Sequence, residues 1–461
     1  MPTGKNWEAY GRMGERYGPL ISVSIGPVTM VVANTYAIAH DVLNKKSHIY
    51  SDRPHISLAE MVGWDLTTGL LAYGPQLKRT RQMFHSELGT RALVESFHGQ
   101  IQSQARTFLT LLRDEPGKLK EHCYYHAGAF ILRITYGYTA SVSHDRFLTK
   151  SENAMVELNE ALAPGRYLVN ILPFLRYLPD WAPGTAFKQD VKIYRRNLLD
   201  LLNSPLKWVQ ENMKLDEAEE SFTSKWLKRG LTNEDTDLVM YGAGTLLGAG
   251  PETTAITLDC FFLMMILHPD VQAKAQAEID TVCGRHRLPT FEDRVRLPYL
   301  AAVMKEVQRM HPPVPLGLPH STTQDDIHNG YFVPKGSLIF ANVWNMSRDR
   351  SVYPDPFKFD PERFLGPEPQ QDPADYVFGF GRRVCPGKLV ADASLFITVA
   401  MSLHAYTFRP PLREDGQFDV PNFEPCEGLT SHLKPYNFDI VPRYSQGAFD
   451  ELLNGKSVRG L

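Results

Sequence analysis

Cys385 sits in a setting suited to coordination chemistry. It falls in Phe378-Gly-Phe-Gly-Arg-Arg-Val-Cys-Pro-Gly387, directly before a helical pattern that begins at Lys388. Gly381 and Gly387 are expected to take positive φ and to let the backbone approach a flat ligand closely. The helix start aims amide N–H groups and a positive partial charge at the sulfur, which favours a thiolate. Thiolate is one of the few protein groups that ligate haem iron axially, where its electron density favours O–O cleavage. Arg383, two residues before the cysteine, is placed to pair with a haem propionate. An isolated cysteine in a Gly/Arg loop is usually only a small buried side chain, so the reading rests on the spacing around it.

A second chemistry-bearing segment, Ala249-Gly250-Pro251-Glu252-Thr253-Thr254, interrupts a long apolar helical pattern. Pro251 has no N–H for the Leu247 carbonyl, and Gly248 and Gly250 lower helix propensity. The helix is therefore expected to kink or open there and to hold oxygen and water. Thr back-bonding at a proline kink is the plainer alternative. Glu306-Val-Gln-Arg309 sets an acid and a base on one helix face, a pair worth little if it were exposed. Phe359-Asp-Pro-Glu-Arg363-Phe364 supplies another arginine. Tyr73-Gly-Pro-Gln-Leu77-Lys-Arg-Thr-Arg81 adds a further cation, and Leu318-Pro-His320 a histidine that is equally readable as an ordinary hydrogen-bonded residue.

In this order along the chain, the acid–Thr pair, Glu-x-x-Arg, Pro-Glu-Arg-Phe and Phe-x-x-Gly-x-Arg-x-Cys-x-Gly resemble the cytochrome P-450 family of haem-thiolate monooxygenases. The resemblance runs from Asn6 to about Arg443. It implies a mainly α fold with a minor β-sheet region, one large haem-enclosing domain over residues 1–461. The cofactor would be haem b, with Cys385 as axial ligand and Phe378, Arg383, Arg81 and His320 as further haem-binding residues. Glu252 and Thr253 would be catalytic, the hydroxyl and the acid managing protons at bound oxygen. Glu306, Arg309 and Arg363 would form a buried structural triad. Leu77 stands where the family usually has Trp, so an indole donor to the haem is lost.

The implied reaction inserts one atom of O2 into a lipophilic compound, by hydroxylation or epoxidation, in secondary or xenobiotic metabolism. Segments 61–71, 162–172, 243–247, 314–318 and 429–430 would line an apolar pocket, although each is also readable as ordinary core. No strand followed by Gly-x-Gly-x-x-Gly is present, so electrons are expected from a separate protein. Likeness to microsomal, fungal-type members points to an NADPH-dependent flavoprotein reductase, met by a basic patch of Lys78, Arg79, Arg382 and Lys388. Such members begin with a membrane helix, which is expected to be missing here. The endoplasmic reticulum membrane, on its cytosolic face, is the location implied for a full-length form. Residues 168–181 are expected to touch a bilayer, and the protein to be monomeric. Two rival readings are a haem-thiolate peroxygenase or isomerase that needs no electron donor, and a noncatalytic haem sensor or carrier.

These residues need a scaffold, and the rest of the chain supplies one. An alternating segment, Leu20 to Val32, reads as a hairpin around Gly26-Pro27. Helical spacing follows over 37–43, 77–84, 90–112, 127–135, 187–213, 233–267 and 271–282. Residues 329–387 are rich in Pro and Gly and read as ordered loop. Of 461 residues, 43% are hydrophobic and 22% charged, typical of a globular chain. A net charge of −3 lacks the basicity of a nucleic-acid binder. Five scattered cysteines with no CxxC pair exclude a zinc knuckle or a dense disulfide framework. The longest apolar run, Cys260 to Leu267, falls short of the roughly 20 residues of a membrane span, and no secretory signal opens the chain.

Overall fold

The computed structural model describes residues 4–25, 28–163, 165–230 and 232–453. Its centre is the helix Asn233–Leu267, hydrophobic almost all round because other helices cover it on most sides. Leu119–Tyr136 packs along it most extensively, and Phe187–Lys214, Arg146–Leu162 and Pro298–Met310 also lie against it. The cysteine-loop helix, Lys388–Ala405, is buried over most of its length against His98–Asp114 and Pro269–Cys283. Asn233–Leu267 and Lys388–Ala405 are long and apolar enough to cross a membrane, but 78% of each apolar window lies inside the protein.

The hairpin forms as expected: Leu20–Ile25 pairs antiparallel with Val28–Ala33, Ile21 opposite Val32. The expected Gly26-Pro27 turn lies outside the described residues. Val28–Ala33 then pairs in parallel with Leu338–Ala341, which pairs antiparallel with His320–Ser321. This sheet fixes His320 at a strand start. The expected single helix over 90–112 is two, Arg91–Glu95 and His98–Asp114, the first capped by Thr90 Oγ1 accepting from Leu93 N. Arg146–Leu162 is a helix that the spacing of apolar residues did not reveal, started by Asp145 accepting from the amides of Phe147 and Leu148.

The central helix does not open at Pro251, the more drastic of the two expected outcomes. The helix is continuous from Asn233 to Leu267. The carbonyl that loses its partner, Leu247 O, instead accepts from Ser151 Oγ of the neighbouring helix at 2.8 Å. A buried backbone acceptor left bare would cost about 1–3 kcal/mol, so this bond helps the helix continue through its proline.

Candidate functional site

Cys385 is held by a tight loop rather than by a regular element. Its amide donates to Phe378 O at 2.8 Å, and Gly381–Arg383 form one 3₁₀ turn between them. Gly381 has φ 51°, and a Cβ there would sit 2.2 Å from Leu43 O, so this position admits only glycine. Positive φ is shared by Gly379 and Gly381, not by Gly387, whose φ is −85°. Gly387 serves through its amide, which with that of Lys388 turns toward the sulfur. The thiol is nevertheless pushed up, because burial outweighs those amides and the charges of Arg81 and Lys388. Cys385 carries exposed surface even so. The two observations agree if the sulfur faces space enclosed by protein walls, where solvation is poor. An iron ion at the sulfur would replace the proton and remove the penalty.

The loop is braced from behind by the triad. Arg309 Nε and Nη2 donate to both oxygens of Glu306 at 2.7 Å, and Arg363 Nε donates to Oε1 at 3.1 Å. All three are buried, and the guanidiniums also hold carbonyls of Ser347, Pro356, Lys358 and Pro354. Arg309 lies over Tyr353, whose hydroxyl meets that of Tyr376 at 2.8 Å, and Tyr376 O accepts from Gly379 N at 3.1 Å. Triad and cysteine loop are thus mechanically joined.

On the other side of the loop three arginines converge. Arg383 Nε and Nη2 donate to Ser51 O and Leu71 O, both at 2.7 Å, while its Nη1 is buried without a partner. Arg81 Nη2 donates to Val384 O at 2.9 Å. Arg53, which no motif singles out, donates to the carbonyls of Gly69, Leu318 and Pro319. His320 Nδ1 meets Tyr50 O at 2.7 Å. All four groups are held below their ordinary pKa: burial is the largest cause for each, with Arg383 lowered to about 10. Mutual repulsion contributes, since Arg53 feels Arg383 and Arg81, and Arg383 feels Arg81. Asp52 is the carboxylate acting on both Arg53 and Arg383. Three guanidiniums against one carboxylate leave an excess that a ligand with two carboxylates would balance. The unpartnered Nη1 of Arg383 gives one of those carboxylates a donor. A flat dianionic ring with an iron at the sulfur therefore fits this donor set. Leu77 is fully buried and adds no donor. Phe378 lies partly buried in the loop, under Lys388 Nζ at 5.5 Å from its ring.

The acid–hydroxyl pair lies in the middle of the central helix. Thr253 Oγ1 donates to Ala249 O at 3.0 Å, the back-bonded geometry, which leaves its oxygen lone pairs open as acceptors. Glu252 is buried, its Oε1 receiving Thr430 Oγ1 at 2.8 Å and His432 Nε2 at 2.9 Å. Its Oε2 is buried without a partner. Neither His432 nor its contact was foreseen, because 180 positions separate it from Glu252 and no spacing rule links them.

Among the segments read as lining or ordinary core, Ala243 and Leu247 are buried on the central helix, and Leu70 and Leu71 are buried in the turn that precedes Pro75–Leu88. Of 162–172, Val169 is buried, but Leu168 and Leu172 point outward, at 61% and 42% exposure, in a surface stretch that continues through Phe174, Tyr177 and Trp181. The basic patch is narrower than expected. Lys78 and Arg382 both lie over Tyr73, whereas Arg79 pairs with Asp235 at 3.3 Å and Lys388 turns onto Ala374 O at 2.7 Å.

Comparison with known proteins agrees with this geometry. The family model for cytochrome P450 matches residues 2–438. Cytochrome P450 monooxygenase 208 of Postia placenta is 40% identical over 447 residues, covering 96% of this chain and 87% of that protein. Cytochrome P450 monooxygenase claR of Ampulloclitocybe clavipes is also 40% identical, over 448 residues, covering 96% and 83%. O-methylsterigmatocystin oxidoreductase of Aspergillus flavus is 33% identical over 455 residues, covering 97% and 85%. A zebrafish cytochrome P450 structure with abiraterone shares the fold, with a TM-score of 0.78 over 95% of this chain and all of that one, at 24% identity. The chain belongs to the cytochrome P450 family of monooxygenases, whose fold binds haem b through a cysteine thiolate.

Proposed function

We propose that this P450 hydroxylates or epoxidises a lipophilic small molecule in secondary or xenobiotic metabolism, drawing electrons from a separate NADPH-dependent flavoprotein reductase. Substrate, O2, NADPH and a proton give oxygenated substrate, NADP+ and water. Cys385 is the proposed axial ligand, Arg81, Arg383 and His320 the propionate partners, and Phe378 a wall beside the ring. Arg53 joins them on the strength of its place in the charge cluster. Burial and the Arg53 charge keep the His320 ring neutral in the empty site, and since its Nδ1–H is given to Tyr50 O, the ring would meet a propionate through Nε2 by taking up a proton together with the haem. When bound, the haem supplies the centre at which dioxygen is reduced and split. Thr253 then offers an acceptor oxygen, its own proton held by Ala249 O, and Glu252 holds and passes protons.

The observation that carries this reading is the acid–hydroxyl pair itself, a buried carboxylate oxygen without a partner on Glu252 and, on the next residue of the helix, a hydroxyl with open lone pairs. An isomerase or a haem carrier has no need of such proton delivery, and a peroxygenase would be told apart by its indifference to NADPH and reductase. The experiment is Thr253→Ala in the haem-loaded protein with reductase. NADPH oxidation should continue while its electrons appear as peroxide rather than product. Equal coupling in variant and parent would remove Thr253 from the mechanism, and no NADPH oxidation in the parent would favour the rival readings.

The relative named O-methylsterigmatocystin oxidoreductase supports an organic small-molecule substrate here. One haem-enclosing domain is supported by a principal core that runs from Leu58 to Leu452. Lys78 and Arg382 on Tyr73 are the proposed contact for an acidic reductase surface, and a loss of reduction rate with rising salt would check it. The exposed apolar stretch from Leu168 to Trp181 supports peripheral contact with the endoplasmic reticulum membrane by an otherwise monomeric protein. Failure to float with vesicles at any salt would sink that contact.

A further inference from the structure

We infer that His432 is the residue through which protons enter from solvent to Glu252, an inference that rests on the oxygen-activation role proposed for Glu252. Buried carboxylates need hydrogen-bond partners, and this one divides its two oxygens unequally. Oε1 takes both neighbours, Thr430 and His432, while Oε2 has none. The two neighbours differ in what they can do. Thr430 Oγ1 receives from Asn159 Nδ2 at 3.1 Å and spends its single proton on Glu252, so it orients the carboxylate without resupplying it. The His432 side chain is 55% exposed while that of Glu252 is 8% exposed, so the imidazole spans from water to the buried acid.

An imidazole has a nitrogen on each side of its ring, which lets one accept a proton as the other releases one. Nε2–H passes its proton to Glu252 Oε1, breaking the N–H bond and forming the O–H bond. Nδ1 takes a replacement from a solvent hydronium ion, which becomes water, and exchange of ring protons with solvent restores the Nε2–H tautomer before the next transfer. Each turnover consumes two protons with two electrons and one O2. The backbone holds His432 in place beside the acid. Its carbonyl accepts from Cys426 N at 2.7 Å, and the preceding Ser431 is tied through N to Pro313 O and through O to the His311 ring. His432 acts through Glu252, so it is a positioning and supply residue for the acid.

The test compares His432→Ala with His432→Gln in the haem-loaded protein, using a purified microsomal NADPH–flavoprotein reductase. Glutamine keeps a donor for Oε1 but cannot relay a proton. Both variants should send a severalfold larger share of NADPH electrons to peroxide and show a larger solvent deuterium isotope effect, with the carbon monoxide spectrum of the parent retained. A glutamine variant that behaves like the parent would show that the hydrogen bond alone suffices, and a silent alanine variant would show that the residue is idle. Either overturns the relay. A parent that oxidises no NADPH removes the oxygenase reading itself, which separates the two failures. A second readout needs no turnover: the relay requires Nδ1 open to water, so diethyl pyrocarbonate should modify His432 by peptide mapping severalfold faster than the buried His126 and His311. A His432 as slow as those two would overturn the relay.

Discussion

Replacing Arg383 with Met removes one of three crowded cations, and its effect should depend on whether the haem is present. Burial, opposed by Asp52 and reinforced by Arg81, lowers Arg383 from 12.5 to about 10. At about 1.4 kcal/mol per unit, holding the charge costs the empty protein roughly 3 kcal/mol. That cost is present in full below pH 10, where the group is charged in both folded and unfolded chains. Against it stand the two bonds to Ser51 O and Leu71 O, together worth about 3–6 kcal/mol as charge-assisted bonds. The terms largely offset, so Arg383→Met should change the haem-free protein little. In the loaded protein the proposed propionate contact would add a carboxylate at the bare Nη1, and the substitution should then cost about a further 2–3 kcal/mol. Haem transfer to apomyoglobin should then be faster by about 30- to 150-fold, and the gap in thermal midpoint between loaded and haem-free protein should narrow. Equal destabilisation of both forms, or unchanged transfer, would refute the charge argument.

Ser151→Ala should cost about 1–3 kcal/mol, which for a chain of 461 residues is a fall in thermal midpoint of roughly 1–3 °C. In a Pro251→Ala background the loss should shrink, because residue 251 regains an N–H for Leu247 O; equal losses in both backgrounds would refute the compensation. Burial lowers His126 to about 4 and His311 to about 3, so each stays neutral in the folded chain while the unfolded chain protonates near pH 6.5. Stability should be intact above that pH and fall as pH drops toward 4, His126 alone accounting for about 2–3 kcal/mol by pH 4.5. Urea midpoints at pH 7 and 4.5 should converge partly in His126→Gln, the His311 share remaining.

Local chemistry was legible in the sequence where a residue and its neighbours in the chain suffice. The cysteine loop, the helical spacing over 233–267 and the hairpin from Leu20 are such cases, whereas the continuity of that helix through Pro251 was not. Contacts between distant segments were not. Ser151 relieves Pro251, and His432 meets Glu252, across 96 and 180 positions, and no periodicity encodes either. Arg53 lies in Ser51-Asp-Arg-Pro54, a segment with a readable charge but no reason in its own spacing to approach Arg383. Gly387 shows the limit of residue-type reasoning, since its glycine serves an amide near sulfur rather than a positive φ.

The most direct test of the central claim is the absorption spectrum of dithionite-reduced protein with and without carbon monoxide, for the parent and Cys385→Ser. A strongly red-shifted Soret band in the parent, lost in the variant, is the expected result for haem held by the Cys385 thiolate. A parent band at the position of a histidine-ligated haem, or no haem uptake after reconstitution, would contradict it.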